Sequence, residues 1–177
     1  MDLLCIDFMN SRWYKSHDMH CEPFSDPDWA AAFFRRWGFS IASGLSDAQL
    51  AELLELRDRL LEAVDELEAR QSLSAEKIRA LNRYLEHTSF HYQLECGAGK
   101  FTAALQPLRH DWNHVLSQIC ISFVQFIVMC RVERIKRCKN QECKWVFYDE
   151  SKNNSRKWCC NTCASLIKVR QFRKKQQ

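Results

Sequence analysis

Glycine and proline are scarce. The 177 residues include 4 Gly and 3 Pro, which excludes a many-turned β architecture and a Pro- or Gly-rich linker. Long apolar runs are missing too. The longest, Ile119 to Met129, contains Ser122 and Gln125 and is too short to span a bilayer. It is expected to be a buried helix. The start, Met1-Asp2-Leu3-Leu4-Cys5-Ile6-Asp7, has no basic region, no extended apolar stretch and no small-residue cleavage site. No export signal is read there, and a cytoplasmic location is expected. Phosphate loop, dinucleotide fingerprint and nucleophile–base pair are all absent from the pattern, so no enzyme is expected.

Cysteine, by contrast, is abundant, with 10 residues. In a chain that is not exported, thiols stay reduced and clustered cysteines read as metal ligands. Cys120 and Cys130 sit in apolar surroundings and are expected to be small core residues. Cys138 and Cys143 form one pair; Cys159, Cys160 and Cys163 form a second group some fifteen residues on. Four thiolates close a tetrahedral Zn²⁺ site, and a closed site is structural. The metal then supplies folding energy that so short a segment cannot draw from its own core. Five thiols compete for four places. Cys159 is favoured over Cys160, because on a helix Cys159 and Cys163 would share a face. The expected ligands are therefore Cys138, Cys143, Cys159 and Cys163, holding one zinc. Trp145 to Tyr148 is expected as a strand, with a return strand through Arg156-Lys157-Trp158.

Charge is divided along the chain. Residues 131–177 hold 14 Lys and Arg against 4 Asp and Glu, a net of +10; residues 1–130 hold 12 against 18, a net of −6. A basic end on an acidic body points to a polyanionic partner at that end. The charge break sets two domains, 1–130 and 131–177.

The fold class expected is mainly α (α+β): a helical front domain with a few short strands, followed by the small zinc module. Leu3 to Met9 is read as a strand. Trp29, Phe33, Phe34 and Trp37 recur at helical spacing, stopped by Gly38. Ser46-Asp47-Ala48-Gln49 has the form of a capping box before a long helix striped with Leu50, Leu53, Leu54, Leu60, Leu61 and Leu67. Ser74 caps a second helix and Asp111 a third, whose core face carries Val115, Leu116, Ile119, Phe123 and Phe126. Between them Phe90, Tyr92 and Leu94 alternate and Gly97 and Gly99 mark a turn, which reads as a strand or hairpin.

The run from Arg134 through Cys138, Cys143 and Phe147-Tyr148-Asp149-Glu150-Ser151-Lys152-Asn153-Asn154-Ser155-Arg156-Lys157-Trp158-Cys159 resembles the CGNR-type zinc finger. The opening Leu4-Cys5-Ile6-Asp7-Phe8-Met9-Asn10-Ser11 is similar to that of the ABATE domain, which precedes this finger in its family. The resemblance implies a stress-induced transcription regulator, with a treble-clef-like DNA-binding finger and a ligand-sensing front domain. The family's Gly-Asn-Arg after the last ligand is here Ala164-Ser165-Leu166, so a contact made by that Arg cannot be carried over.

Basic residues available for phosphate contact are Arg156, Lys157, Lys168, Arg170, Arg173, Lys174 and Lys175. Those from Lys168 onward lie on a helix on which Leu166, Val169 and Phe172 are expected to pack back. Such a surface makes binding salt-dependent. The partner expected is double-stranded DNA, with Asp7 and Asn10 suggested by the resemblance as polar groups for a small-molecule effector. A homodimer suits such a regulator, with the apolar helices of the front domain as its interface. The pairs His87/His91 and His110/His114 are spaced for a helix face; ordinary surface or core-edge histidines are the simpler reading. Two alternatives compete: a zinc-stabilised adaptor for an acidic protein, and a single-stranded RNA binder stacking bases on Trp145, Phe147, Tyr148 and Trp158.

Overall fold

The computed structural model describes residues 3–13, 22–41 and 44–176. His17, His20 and Cys21 fall outside them. The described elements run α1 (Leu4–Asn10), α2 (Pro27–Arg36), α3 (Asp47–Arg70), α4 (Ala75–Glu86), β1 (Phe90–Gly97), β2 (Lys100–Pro107), α5 (Trp112–Met129), β3 (Ile135–Arg137), β4 (Val146–Tyr148) and α6 (Asn161–Lys175). The class is mainly α with two antiparallel two-stranded sheets, β1–β2 and β3–β4.

The long helices begin where local chemistry starts them. Ser46 and Gln49 exchange side-chain-to-backbone bonds of 3.3 and 3.0 Å at the head of α3. Asp111 accepts from His114 N at 3.1 Å, and Ser74 accepts from Lys77 N. Each satisfies an amide that the first helical turn leaves unpaired. Gly38, at φ +81°, follows the end of α2 in a backbone region that costs glycine little.

The segment Leu4–Asn10 is a helix, not the strand its apolar run suggests. Leu4, Cys5, Phe8 and Met9 are buried; that i, i+1, i+4, i+5 set is one helix face, whereas a strand would alternate. This face packs on α5, and Cys5 N donates to Ser122 Oγ of α5 at 3.1 Å. By length and composition α5 could cross a membrane. Here it is the central core helix, with Ile119, Cys120 and Phe123 fully buried and α1, α3 and α4 packed around it.

The core does not stop at the charge break. Ile135 of β3 and Val146 of β4 are buried in the same apolar cluster as Phe8, Leu60 and Phe123. Strand β3 packs on α3, and β4 on α1. A second, smaller cluster gathers Cys138, Cys143, Phe147 and Cys163, with Trp145 and Trp158 against it.

Candidate metal centre

Three short elements bring the thiols together. Strand β3 delivers Cys138. A knuckle follows in which Cys143 N and Lys144 N both donate to Asn140 O, at 2.9 and 3.0 Å. Lys144 takes a left-handed φ of 51°, and Cys138 N donates to Trp145 O at 2.8 Å to close the loop. The strand paired with β4 is therefore β3, upstream of the first ligand. The expected return strand at Arg156-Lys157-Trp158 is a loop instead, tied back by Lys139 N to Lys157 O at 3.0 Å. Cys163 lies in the first turn of α6.

The Sγ atoms of Cys138, Cys143, Cys159 and Cys163 lie within 4.8 Å of one another. Cys143–Cys159 is 3.6 Å and Cys159–Cys163 is 3.8 Å. Around a zinc with bonds of about 2.3 Å, tetrahedral sulfurs stand about 3.8 Å apart. The donors thus fit the ion in type, number and spacing, and the chain carries a structural zinc site.

The fifth thiol, Cys160, is exposed and lies 3.8 Å from Cys159 Sγ. It is the N-cap of α6, with extended backbone at φ −151° and ψ 170°. Cys159 therefore precedes the helix. It joins Cys163 because the chain bends at Cys160, not because both stand on one helical face.

The sulfurs need a cation. Cys143 is pulled down to about 5, first by the hydrogen bond from Cys159, whereas that same bond, and then burial, push Cys159 up. Burial pushes Cys163 up to about 12. Thiols this close cannot all ionise unless a positive ion removes their repulsion. Asn140, fully buried, donates from Nδ2 to Cys163 Sγ at 3.4 Å and accepts from Glu142 N at 3.3 Å. Such an outer bond orients a ligand and steadies its charge.

Behind the metal, Asp149 anchors the finger. Its buried carboxylate meets Lys136 Nζ at 2.7 Å, Ser151 N at 2.9 Å and Arg156 N at 2.8 Å. Burial alone would push this carboxyl up; the bonds from Lys136, Ser151 and Arg156 outweigh it and hold the group below the usual range. Arg134 donates to the carbonyls of Asp149 and Ser151 at 2.7 and 2.6 Å. Asn154 has a left-handed φ of 51°, as an Asn in this turn readily does.

The basic residues divide into two sets. Arg156 is used within the finger: its guanidinium bonds the carbonyls of Trp158 and Cys159 and lies over the Phe147 ring at 5.4 Å. Arg170 meets Glu142 at 2.6 Å. Lys157, Lys168 and Arg173 are exposed; the side chains of Lys174 and Lys175 lie outside the described residues, though both positions are helical. The expected back-packing of α6 does not extend along it. Leu166 is half-buried, but Val169 and Phe172 are 48% and 62% exposed. Two further cations, Arg137 and Lys139, pair with Asp65 and Glu68 of α3 at 2.8 and 2.6 Å.

Asp7 and Asn10 do not share a cavity. Asp7 accepts from Trp37 Nε1 at 2.9 Å and meets Arg36 at 3.3 Å, beside a cleft of about 280 Å³ lined by Trp29, Ala32 and Phe33. Asn10 is buried and bonds both backbone groups of Val146. Arg57 was not legible as important, although it is the charged residue buried on the apolar face of α3. It pairs with Glu22 and donates to Ser11 Oγ at 2.9 Å. An Arg at a core position of an amphipathic stripe was its only signal. His110 and His114 stack edge-on at 5.4 Å. Among the described residues, the cysteines form the one group of three or more side chains spaced to hold a metal.

These features define a zinc-finger protein whose finger is built onto a helical domain. The CGNR zinc finger model matches residues 134–176. The ABATE model, described as "Putative stress-induced transcription regulator", matches residues 2–129, and the chain belongs to this family. No curated protein matches it.

Proposed function

We propose that this protein is a DNA-binding transcription regulator of the cytoplasm, without enzymatic activity, that grips duplex phosphates with its zinc finger and α6. The observation that carries the reading is α6 itself. It starts at the metal, holds Lys168, Arg170, Arg173, Lys174 and Lys175 in fifteen residues, and contains no acidic residue. Its axis is anchored at one end by Cys163, so the zinc sets the direction in which that charge points. Strand β3, the knuckle, β4, a loop and α6 follow one another along the chain, an order that suits a treble-clef-like finger. Phosphate anchoring is the role these residues suit; base reading would fall to Gln171 and Arg170 if α6 enters a major groove. The Asp7 cleft is the proposed entry for a small-molecule effector, since Asn10 is occupied by Val146.

RNA stacking finds less support. Phe147 is buried and Trp145 and Trp158 pack on the cysteine cluster, leaving the rings to fill the finger's core. The adaptor reading stays as the competitor. Fluorescence anisotropy with a labelled duplex, read across a salt series with and without chelator, separates the two. Regulator binding falls steeply with salt and disappears with the metal. Affinity equal to that of a free α6 peptide would favour the adaptor.

A further inference from the structure

The hairpin β1–β2 stands almost free of the body. Every residue from His91 to Leu105 is exposed. Its register places Tyr92 opposite Leu105, Leu94 opposite Ala103 and Cys96 opposite Phe101. Directly paired residues share a face, so all six project from the same side. The opposite side carries His91, Gln93, Glu95, Thr102, Ala104 and Gln106. The hairpin is thus a two-faced sheet with its apolar side uncovered: Tyr92 is 75% exposed, Leu94 69%, Phe101 74% and Leu105 56%.

A two-stranded hairpin is marginal in water without a third strand or a packed face. This one is eight residues per strand and is rooted at its base, by Leu108 N to Ser89 O at 2.9 Å and by Phe90 against the His114 ring. Long apolar ribbons with open edges are uncommon in proteins that act alone. We infer that this face is the dimerisation surface, occupied by the same face of a second copy of this chain.

Charge decides against other occupants. From Phe90 to Pro107 the charged residues are Glu95 and Lys100, one of each sign, which gives neither DNA nor an anionic membrane a reason to bind here. An apolar strip without a charge pattern complements itself, as an isologous twofold contact requires. Area supports the same occupant. At roughly 150 Å² per large exposed side chain, the four large side chains with Cys96 and Ala103 offer about 600 Å². Two such faces would remove about 1,200 Å² from water, which reaches the range of stable specific interfaces. The helices, expected as the interface from sequence, instead turn their apolar stripes into the core.

Sedimentation equilibrium of the zinc-loaded full chain across micromolar concentrations tests this. The expected mass is twice 21.0 kDa, falling to one chain in the double variant Leu94→Glu, Phe101→Glu. Helical circular dichroism and zinc content should be unchanged in that variant, which rules out unfolding as the cause. Gln93→Glu, on the polar face, should remain a dimer. A wild-type monomer at every concentration overturns the inference. A dimer that survives the double variant overturns it as well, placing the interface elsewhere.

Discussion

Asn10, at the end of the first helix, holds both backbone groups of Val146 in the finger's second strand, 136 residues away. Its Nδ2 donates to Val146 O at 2.9 Å and its Oδ1 accepts from Val146 N at 2.8 Å. All four atoms are buried, so the amide acts as a substitute strand for the inner edge of β4. Helix α1 and the zinc finger are thereby one packed unit.

Asn10→Ala should cost about 2–4 kcal/mol, because it leaves a buried N–H and C=O without partners. Asn10→Asp should cost a similar amount, since a carboxylate can accept but not donate. Urea unfolding of the zinc-loaded protein measures both. A loss under about 0.5 kcal/mol, the scale of an ordinary surface change, would show that the pair does not hold the finger.

The thiols make a sharp contrast. Cys159→Ser should lose the zinc and unfold the finger, while Cys160→Ser should keep one zinc per chain by elemental analysis. Zinc retained by Cys159→Ser with loss from Cys160→Ser would mean that Cys160 is the true ligand.

Acidification should weaken the front domain through His114. Burial first, and the neighbouring His110 second, hold this imidazole below its usual value, and its Nδ1 is buried without a hydrogen-bond partner. The unfolded chain therefore takes up the proton first. The stability involved is intact above about pH 6.5 and is lost as the pH falls through the lower folded value. His114→Phe should flatten that part of the thermal-stability profile relative to the parent. Parallel profiles in that range would remove His114 as the cause.

Arg137 and Lys139 are drawn toward the acidic α3. Both pairs are largely exposed on one side, so breaking them should cost little stability, about 1 kcal/mol or less each. The double variant Asp65→Asn, Glu68→Gln frees two cations beside the finger. Its duplex affinity should rise, and the slope of log affinity against log salt should steepen by as much as about 2, near 0.9 per added phosphate contact. An unchanged slope would place these two residues away from the DNA.

What could be read from the chain alone was whatever depends on near neighbours. Ser46 with Gln49, Ser74 and Asp111 start their helices because a cap is satisfied within three residues. The metal module was legible because thiol chemistry and spacing narrow its options to few. The strand pairing and the ligand geometry were not. Leu3 to Met9 is a short apolar run without periodicity, and contact with α5 decided for helix. Strand β3 is three residues long, and its identity rests on burial of Ile135 in a core supplied by α3. Cys159 reaches the metal through a bend at Cys160 that no i, i+4 rule describes. Asn10 shows the limit most plainly: its residue type suggests a polar site, but its partner is a backbone segment brought to it only when the two parts of the chain share one core. Local rules set the elements and the donor atoms; burial of distant apolar surface decided which of them meet.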